Sequence, residues 1–258
     1  MQQPKKSMLV YPNVKINLGL SVLRRRPDGY HDIETLFVPY FGMTDVLEIT
    51  PSDELRFVAS DNVTWDDDLT LRAYHLLKAE FDLPPVQIRL DKRSAVGAGL
   101  GGGSADAAFT LMALTEMFHL GLEDWQLADY AACLGSDCSF FIYNRPMLGE
   151  GRGDVLSDYD LDLSNYEIRV EVPAGVRIST SEAYSRVVPR ERLSLPPLRE
   201  ALRYPVEMWP DVLFNDFEAS VFPIHPEVER LKERFYAEGA AYASMSGSGS
   251  AVFGLFHK

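Results

Sequence analysis

The sequence predicts an α+β protein built in two layers. Several stretches alternate apolar and polar residues, which is typical of strands, and other stretches repeat apolar residues at helical spacing. Strands and helices mixed in this order favour a two-layer arrangement around a core. The chain has 258 residues, 46% of them hydrophobic, which is enough for one large domain or two modest ones.

The first half of the chain contains most of the regular patterns. The strand patterns cover 13–23, 33–41, 45–51, 54–60, 86–93 and 138–144. The helical patterns cover 66–81, 104–118 and 122–135. Pro27, Asp28 and Gly29 predict a turn after the first strand. The helix predicted over 66–81 begins with acidic residues, which interact favourably with the positive end of its dipole. The helix predicted over 122–135 ends at Gly135.

A domain boundary of approximate position is predicted in the second half of the chain. Residues 155–166 are acidic and loop-like, so we expect domains over 1–158 and 159–258. Beyond the boundary, the patterns predict a strand over 167–173, a polar turn over 179–181, a helix over 226–239 and a strand–turn–strand unit over 241–256.

Composition narrows the class of partner. The formal charge is −13, which argues against nucleic acid or an anionic membrane but not against an anionic small ligand. Two cysteines without metal-ligand spacing indicate a reducing compartment, and the five histidines are scattered. No apolar run has membrane-spanning length, and no signal peptide is evident. We therefore expect a cytoplasmic protein with small-molecule partners.

Five glycines lie within residues 97–103, directly before a predicted helix. No lysine follows them, so they do not form a P-loop. Gly97, Gly99 and Gly102 match the dinucleotide fingerprint, but Glu116, at the distance of a ribose-binding acid, lies in a helical pattern. A flexible loop at a helix N-terminus can bind an anion, most often phosphate. A phosphate site is favoured over a tight turn without a ligand.

Other stretches are ambiguous taken alone. Asp137 follows a helix stop and precedes a pattern that predicts a strand, so it is either a turn residue or an acceptor for a substrate proton. Lys15 lies in a strand, where most lysines point to solvent. The turn 245–250 is usually an ordinary hairpin turn rather than a ligand clamp.

Together these stretches resemble the GHMP kinase superfamily. The matching segments are "VKINLGL", "RRRPDGYHDIETLF", "GAGLGGGSADAA", "GSDCSFF" and "MSGSG", which occur in the family's order over about half the chain. Within this resemblance, the "DGYH" element implies the branch of the family that phosphorylates a cytidine diphosphate-linked polyol. The resemblance implies an N-terminal lobe like domain 2 of ribosomal protein S5 and a ferredoxin-like C-terminal lobe.

The resemblance also implies roles for residues. Asp137 would be the general base, and Lys15 its charged partner, in transfer of the γ-phosphoryl group of ATP, with Mg²⁺. The ATP-binding residues would be Ala95, Val96, Gly97, Ala98, Gly99, Leu100, Gly101, Gly102, Gly103, Ser104 and Ala105. The substrate-binding residues would be Asn17, Tyr30, His31, Thr180, Tyr184, Gly247 and Gly249. Tyr30 and His31 would face the cytosine by stacking and hydrogen bonding, with Tyr184 as a second aromatic.

Departures from the family pattern leave some points open. Asp66–Asp68 stand where relatives often have asparagine, so the adenine pocket is not assigned. "PNV" precedes the lysine motif, and Cys138 and Ser139 follow Asp137. The rival hypotheses are a kinase of the same superfamily that acts on homoserine or mevalonate, and a nucleotide-binding regulator without catalysis.

Overall fold

A computed structural model describes residues 7–60, 68–189 and 196–258. The strands are β1 (Met8–Val10), β2 (Asn13–Arg25), β3 (His31–Thr44), β4 (Val46–Pro51), β5 (Arg56–Ala59), β6 (Val86–Asp91), β7 (Met147–Glu150), β8 (Val155–Asp158), β9 (Tyr166–Glu171), β10 (Tyr242–Met245) and β11 (Val252–His257). The helices are α1 (Leu69–Lys78), α2 (Gly102–Phe118), α3 (Asp124–Ala132), α4 (Cys138–Tyr143), α5 (Thr180–Arg186), α6 (Leu198–Ala201), α7 (Trp209–Val212), α8 (Glu218–Val221) and α9 (Pro226–Ala237). The mixture confirms the predicted α+β class. No helix in these ranges is long and apolar enough to cross a membrane.

The chain forms two compact units that are interleaved along the sequence. The first unit contains Met1–Val14, Phe41–Val96 and Gly101–Asn144, and the second contains Lys15–Tyr40, Gly97–Leu100 and Arg145–Lys258. The chain therefore changes units twice within the glycine-rich region. The division into domains at residue 158 stays a prediction.

The first unit joins a four-stranded sheet to helices α1–α4. The strand order is β1-β4-β6-β5, in which only the β5–β6 pair is parallel. The register places Leu47 opposite Leu90 and Ile49 opposite Ile88, and all four side chains are buried. Helix α2 contributes a long buried stripe that packs against α1 and α4. This unit holds the first turn of α2 and Asp137.

The second unit contains two sheets. Strands β2, β3, β7 and β8 form one sheet in that order, and β10, β11 and β9 form the other. Residues 13–22 of β2 are all buried, because both faces of this strand are covered. A separate apolar cluster includes Phe217, Phe235 and Met245. This unit holds Lys15, Asn17 and the turn between β10 and β11.

Three local predictions were wrong. Residues 138–144 were expected to form a strand, but Cys138–Tyr143 form α4, which ends at Asn144 in the left-handed conformation. Five consecutive buried residues carry no periodicity, so this short run could not distinguish strand from helix. Val155–Asp158 was expected to be loop but pairs with β7 as an exposed edge strand. The polar turn over 179–181 is the start of α5, because the Ser179 hydroxyl accepts a hydrogen bond from the amide of Glu182.

Helix α1 begins later than predicted. Its N-cap is Asp68, whose carboxylate accepts a hydrogen bond from the Thr70 amide at 2.7 Å. Residues 66 and 67, the acidic positions that precede it, lie outside the described residues. The remaining short elements, including β1, β7 and α6–α8, have no clear pattern in the sequence.

Candidate active site

The glycine-rich loop alternates left-handed glycines with buried apolar residues. Gly97, Gly99 and Gly101 have φ angles of 71°, 76° and 70°. Ala98 and Leu100 between them are 2% and 1% exposed. Glycine adopts positive φ angles without steric cost, whereas a side chain there is strained. The alternation therefore lets the chain turn at every second residue while the intervening side chains fix it to the core.

The loop is held by backbone hydrogen bonds in the second unit. The carbonyl of Ala98 accepts from the amide of Ala251, and the carbonyl of Leu100 accepts from the amide of Lys15, both at 3.0 Å. At Gly99, an added Cβ atom would lie only 2.1 Å from the carbonyl oxygen of Ser246. Glycine is required there by the fold itself.

The other glycines differ in what surrounds them. An added Cβ atom at Gly102 would lie 2.5 Å from the Ser94 hydroxyl oxygen. At Gly103 the nearest atom would be Leu69 Cδ1 at 3.8 Å, and at Gly97 no atom would lie within 4 Å. Internal packing therefore explains Gly99 and Gly102. A Cβ atom would have open space at Gly97 and only an ordinary van der Waals contact with Leu69 at Gly103.

Helix α2 begins at this loop without a side-chain cap. Its N-cap is Gly101, which has no side chain to bond the first amide groups. The helix is 17 residues long, so its dipole places partial positive charge on that first turn, which includes Ser104. The amide of Ala105 closes the turn on the Gly101 carbonyl at 2.9 Å. Before the loop, Ala95 is half-buried and Val96 is exposed.

Lys15 is buried rather than directed to solvent. Its side chain is part of a residue only 3% exposed, and Nζ donates to Asn17 Oδ1 at 2.5 Å and to the Gly99 carbonyl at 3.0 Å. The ammonium also lies 5.4 Å from the centroid of the Phe37 ring. Burial of a charged lysine costs free energy unless hydrogen-bond partners replace the lost water. The structure thus fixes this charge beside the glycine-rich loop.

The turn after β10 contacts the same loop. The Ser246 hydroxyl donates to the Gly99 carbonyl at 3.0 Å and accepts from the backbone N–H group of Asn17 at 3.3 Å. An added Cβ atom at Gly247 would lie 2.8 Å from the Gly99 carbonyl oxygen. Gly249 has a φ angle of 87°, and its Cβ atom would lie 2.7 Å from Met245 Sδ. The two glycine-rich turns are therefore packed backbone to backbone.

Asn17 and Thr180 belong to the surroundings of this turn. The side-chain amide of Asn17 donates through Nδ2 to the Thr35 hydroxyl at 3.1 Å. Thr180, the first residue of α5, has its hydroxyl 3.4 Å from that of Ser248. Of the predicted substrate residues, Asn17, Thr180, Gly247 and Gly249 are thus held in one hydrogen-bonded region.

Asp137 is the N-cap of α4 in the first unit. A Cβ atom added at Gly135 would lie 3.2 Å from Cys138 Sγ and 4.0 Å from Ser104 Oγ. The turn that carries Asp137 therefore neighbours the first turn of α2. The structure places Gly135, two residues before Asp137, near Ser104. Lys15 belongs to the second unit, so the expected pairing of Asp137 with Lys15 stays a prediction.

The predicted aromatic residues fall into two groups. His31 stacks on Tyr184, with centroids 4.9 Å apart and ring planes 25° apart, and Tyr184 meets the edge of Phe217. Burial and the nearby Arg25 guanidinium lower the pKa of His31. Tyr30 is 59% exposed, and the Arg152 guanidinium lies 5.1 Å from its ring centroid.

Sequence reasoning missed residues that support both loops. Asn215 donates through its amide group to the carbonyls of Met245 and Gly247, both at 2.8 Å. Lys92, two residues before Ser94, bonds buried carboxylates behind α2. The signal for Asn215 was the polar pair "ND" between apolar residues, and for Lys92 a charge directly before the loop.

The described ranges contain no group of three His, Cys, Asp or Glu side chains placed to hold a metal ion. Carboxylates do occur near the loop, but as the single Asp137 and the pair that bonds Lys92. No protein ligand for Mg²⁺ is therefore assigned.

Comparisons with known proteins identify relatives over nearly the whole chain. The GHMP kinases N terminal domain matches residues 68–145, and the GHMP kinases C terminal domain matches residues 198–258. A 4-diphosphocytidyl-2-C-methyl-D-erythritol kinase of Azobacteroides pseudotrichonymphae is 45% identical over 97% of this chain and 94% of its own length. The enzyme of the same name from Bacteroides fragilis is 48% identical over 96% of this chain and 92% of its own.

Two solved structures are also similar to this chain over most of its length. A crystal structure of 4-(cytidine 5'-diphospho)-2C-methyl-D-erythritol kinase matches with a TM-score of 0.78 and 33% identity, covering 96% of this chain and 90% of that one. A homoserine kinase from Cytophaga hutchinsonii has a TM-score of 0.71 at 18% identity, covering 100% of this chain and 87% of its own. The second match shows the shared fold alone.

Proposed function

The chain belongs to the 4-diphosphocytidyl-2-C-methyl-D-erythritol kinases of the GHMP kinase family, and we propose that it phosphorylates the 2-hydroxyl group of that cytidine compound. ATP is the donor, and the products are the 2-phosphate and ADP, in the non-mevalonate route to isoprenoid precursors. The observation that carries this proposal is identity of 45% and 48% to relatives of that name over nearly full length.

We propose that the phosphates of Mg·ATP bind at residues 95–105. The support is local: α2 has no side-chain cap, a Cβ atom at Gly97 would meet open space, and one at Gly103 would meet only an ordinary contact at 3.8 Å. Backbone amides and a helix N-terminus together favour a polyphosphate. Mg²⁺ arrives with the nucleotide, because this ion is commonly held by substrate phosphates and water.

Asp137 is the proposed general base, and Lys15 the proposed electrostatic partner. The Asp137 carboxylate takes the proton of the 2-hydroxyl group while that oxygen attacks the γ-phosphorus and ADP leaves. The Lys15 ammonium stabilises negative charge on the transferred group. Support comes from their neighbours: Gly135, two residues before Asp137, lies near Ser104. Lys15 Nζ donates a hydrogen bond to the Gly99 carbonyl.

The cytidine end is proposed to contact Tyr30, His31 and Tyr184. Aromatic faces suit a flat base, and His31 with a lowered pKa stays neutral at pH 7, so its ring can accept as well as donate a hydrogen bond. Asn17, Thr180 and the glycines of the second turn lie on the polyol and diphosphate side.

The cytoplasm is the proposed location. Cys133 and Cys138 are free thiols, as expected in a reducing compartment. The net charge of −13 favours small-molecule partners over nucleic acid.

A coupled assay of ADP release tests the function. Purified protein is supplied with ATP, Mg²⁺ and 4-diphosphocytidyl-2-C-methyl-D-erythritol, with homoserine and mevalonate as parallel acceptors. We expect turnover with the cytidine compound alone. Turnover with homoserine or mevalonate instead would show that the acceptor is wrong, and binding of ATP without turnover of any acceptor would favour a regulator.

The role of Asp137 has its own test. We expect Asp137→Asn to lower kcat by about 10²- to 10⁴-fold, because the amide cannot take the proton, while the Kd for ATP changes little. Asp129→Asn, the same change at an exposed position of α3, is the control. Equal kcat in the Asp137 variant and the control would exclude Asp137 as the base.

A further inference from the structure

Three charged side chains are buried together behind the first turns of α2. The Lys92 ammonium bonds Asp45 Oδ2 at 2.5 Å and Asp106 Oδ2 at 2.7 Å. The side chains of Lys92, Asp45 and Asp106 are 14%, 0% and 3% exposed. One cation therefore faces two carboxyl groups in a region with little water.

The two carboxyl groups are not equivalent. Asp45 also accepts hydrogen bonds from the amides of Arg93 and Ser94, at 2.6 Å and 2.7 Å, and from the Ser94 hydroxyl at 2.7 Å. Asp106 Oδ1 is buried and has no hydrogen-bond partner among the described residues. Hydrogen bonds favour the charged form of a carboxyl, and burial beside a like charge disfavours it. Asp45 is thus the ionised member, and Asp106 is the member that holds a proton.

This cluster lies against the proposed phosphate site. A Cβ atom added at Gly102, the first residue of α2, would lie 3.2 Å from Lys92 Nζ and 2.5 Å from Ser94 Oγ. Asp106 is itself on the second turn of α2. Any change in the charge of the cluster therefore acts on the same helix end that attracts an anion.

We propose that Asp106 is a positioning residue whose proton sets the charge behind the phosphate-binding turn of α2. With the proton, Lys92 and Asp45 cancel and the cluster is neutral. Without it, the cluster carries one negative charge that repels the phosphates of ATP. This inference rests on the proposed function, because it takes ATP as the ligand of α2.

The pKa shifts of Asp106 and Asp45 support this assignment of the proton to Asp106. Burial raises the pKa of Asp106, the Lys92 ammonium opposes the rise and Asp45 adds to it, and the resulting value is about 7. Burial also disfavours the charged form of Asp45, but Lys92 and Ser94 outweigh it and lower the pKa of that carboxyl.

The Cys138 thiol on the neighbouring helix α4 does not titrate in this range. Burial raises the pKa of the Cys138 thiol on α4 to about 12. Asp137 and the Arg72 guanidinium of α1 are the charged groups that act on that thiol. Of Asp106 and Cys138, only Asp106 changes its charge near neutral pH.

Calorimetric titration with Mg·ATP at pH 6 and pH 8 tests the proposal on wild type, Asp106→Asn and Asp129→Asn. Asparagine matches the shape of the protonated acid but cannot ionise. We expect the Kd of wild type to rise about fivefold more than that of Asp106→Asn between the two pH values, the order expected for one unit charge at intermediate distance and dielectric. Asp129→Asn should follow wild type, since its side chain is exposed on α3.

Comparison between variants removes the titration of ATP itself, which is common to all three. Equal pH dependence in wild type and Asp106→Asn would overturn the proposal. If Asp106→Asn does not fold, carbon-13 NMR of wild type with labelled aspartate carboxyls decides the question, because a carboxyl that titrates between pH 6 and pH 8 is expected and its absence would overturn the proposal. Loss of ATP binding in every protein, together with no ADP release, would instead refute the proposed function.

Discussion

The two glycine-rich turns look alike in sequence but differ in what surrounds their glycines. In the turn of residues 246–250, Gly247 and Gly249 both have positive φ angles, and protein atoms occupy the space of both Cβ atoms. In the loop of residues 97–103, no atom would lie within 4 Å of a Cβ atom at Gly97, and the nearest atom to one at Gly103 would be 3.8 Å away. The second turn needs both glycines for its own packing, whereas in the first loop Gly103 is required neither by a collision nor by a positive φ angle.

The difference teaches how to interpret a glycine-rich motif. A glycine is required by the fold where a side chain would collide or where φ is positive, and Gly99 meets both conditions. Gly103 meets neither, so its lack of a side chain is best explained by the approach of a ligand. Counting glycines does not separate these cases, but examining the position of each Cβ atom does.

The largest expected effect is on stability, at Gly99. Gly99→Ala places a methyl group 2.1 Å from the Ser246 carbonyl at a φ angle of 76°. We expect a loss of about 4 kcal/mol in the free energy of unfolding, because backbone cannot move aside as a side chain can. Denaturant unfolding measures it. A loss below about 1 kcal/mol would show that the two turns are not packed as described.

Two further substitutions compare how much stability is lost when each glycine of the second turn is replaced. The Cβ atom of Gly247→Ala would meet the Gly99 carbonyl oxygen, whereas that of Gly249→Ala would meet the flexible side chains of Met245 and Ile178. We expect losses of about 3 and about 2 kcal/mol, since both positions also have positive φ. The same unfolding experiment gives the order, and the reverse order would contradict the distinction between rigid and flexible neighbours.

The supports of the two turns differ in their response to pH. Asn215, which is uncharged, holds the second turn, and the cluster of Asp106, Lys92 and Asp45 lies behind the first. Since the pKa of Asp106 is raised in the folded state, the folded chain keeps a proton that the unfolded chain releases above about pH 4. This stabilisation is complete below about pH 4 and is lost as pH rises to about 7.

Unfolding at pH 5.5 and pH 7 measures that response. Wild type should lose about 2 kcal/mol more than Asp106→Asn over this interval, at about 1.4 kcal/mol per pH unit. Asn215→Ser should keep the wild-type pH dependence, because no titrating group changes. Equal slopes in wild type and Asp106→Asn would mean that Asp106 is ionised throughout.

Much of the fold was predictable because long periodic segments dominate it. The patterns for β2, β6, α2 and α9 produced the elements now seen. The short run of α4 was misassigned because its residues are buried all round and hydrophobicity cannot distinguish the two periods. Strand β8 was missed because it is short and exposed, and pairing with β7 alone makes it a strand.

The family was predictable where motifs mark it, and the roles of the candidate site residues stay predictions. The glycine-rich loop and Asp137 stand out in sequence, and the family resemblance is now confirmed by relatives. The burial of Lys15 was not predictable from alternation, because β2 is covered on both faces. Asp106 and Asn215 look like ordinary polar residues, and only three-dimensional contacts show what they bond.

The most direct test of the account is Gly103→Ala, with unfolding and Mg·ATP binding measured on the same samples. Alanine is the better helix former and meets no atom closer than 3.8 Å, so stability should stay equal or rise by up to about 1 kcal/mol. The methyl group would occupy space assigned to phosphate, so we predict that the Kd for ATP rises at least about tenfold. Unchanged ATP affinity in a stable variant would contradict the claim that Gly103 lacks a side chain in order to make room for the nucleotide.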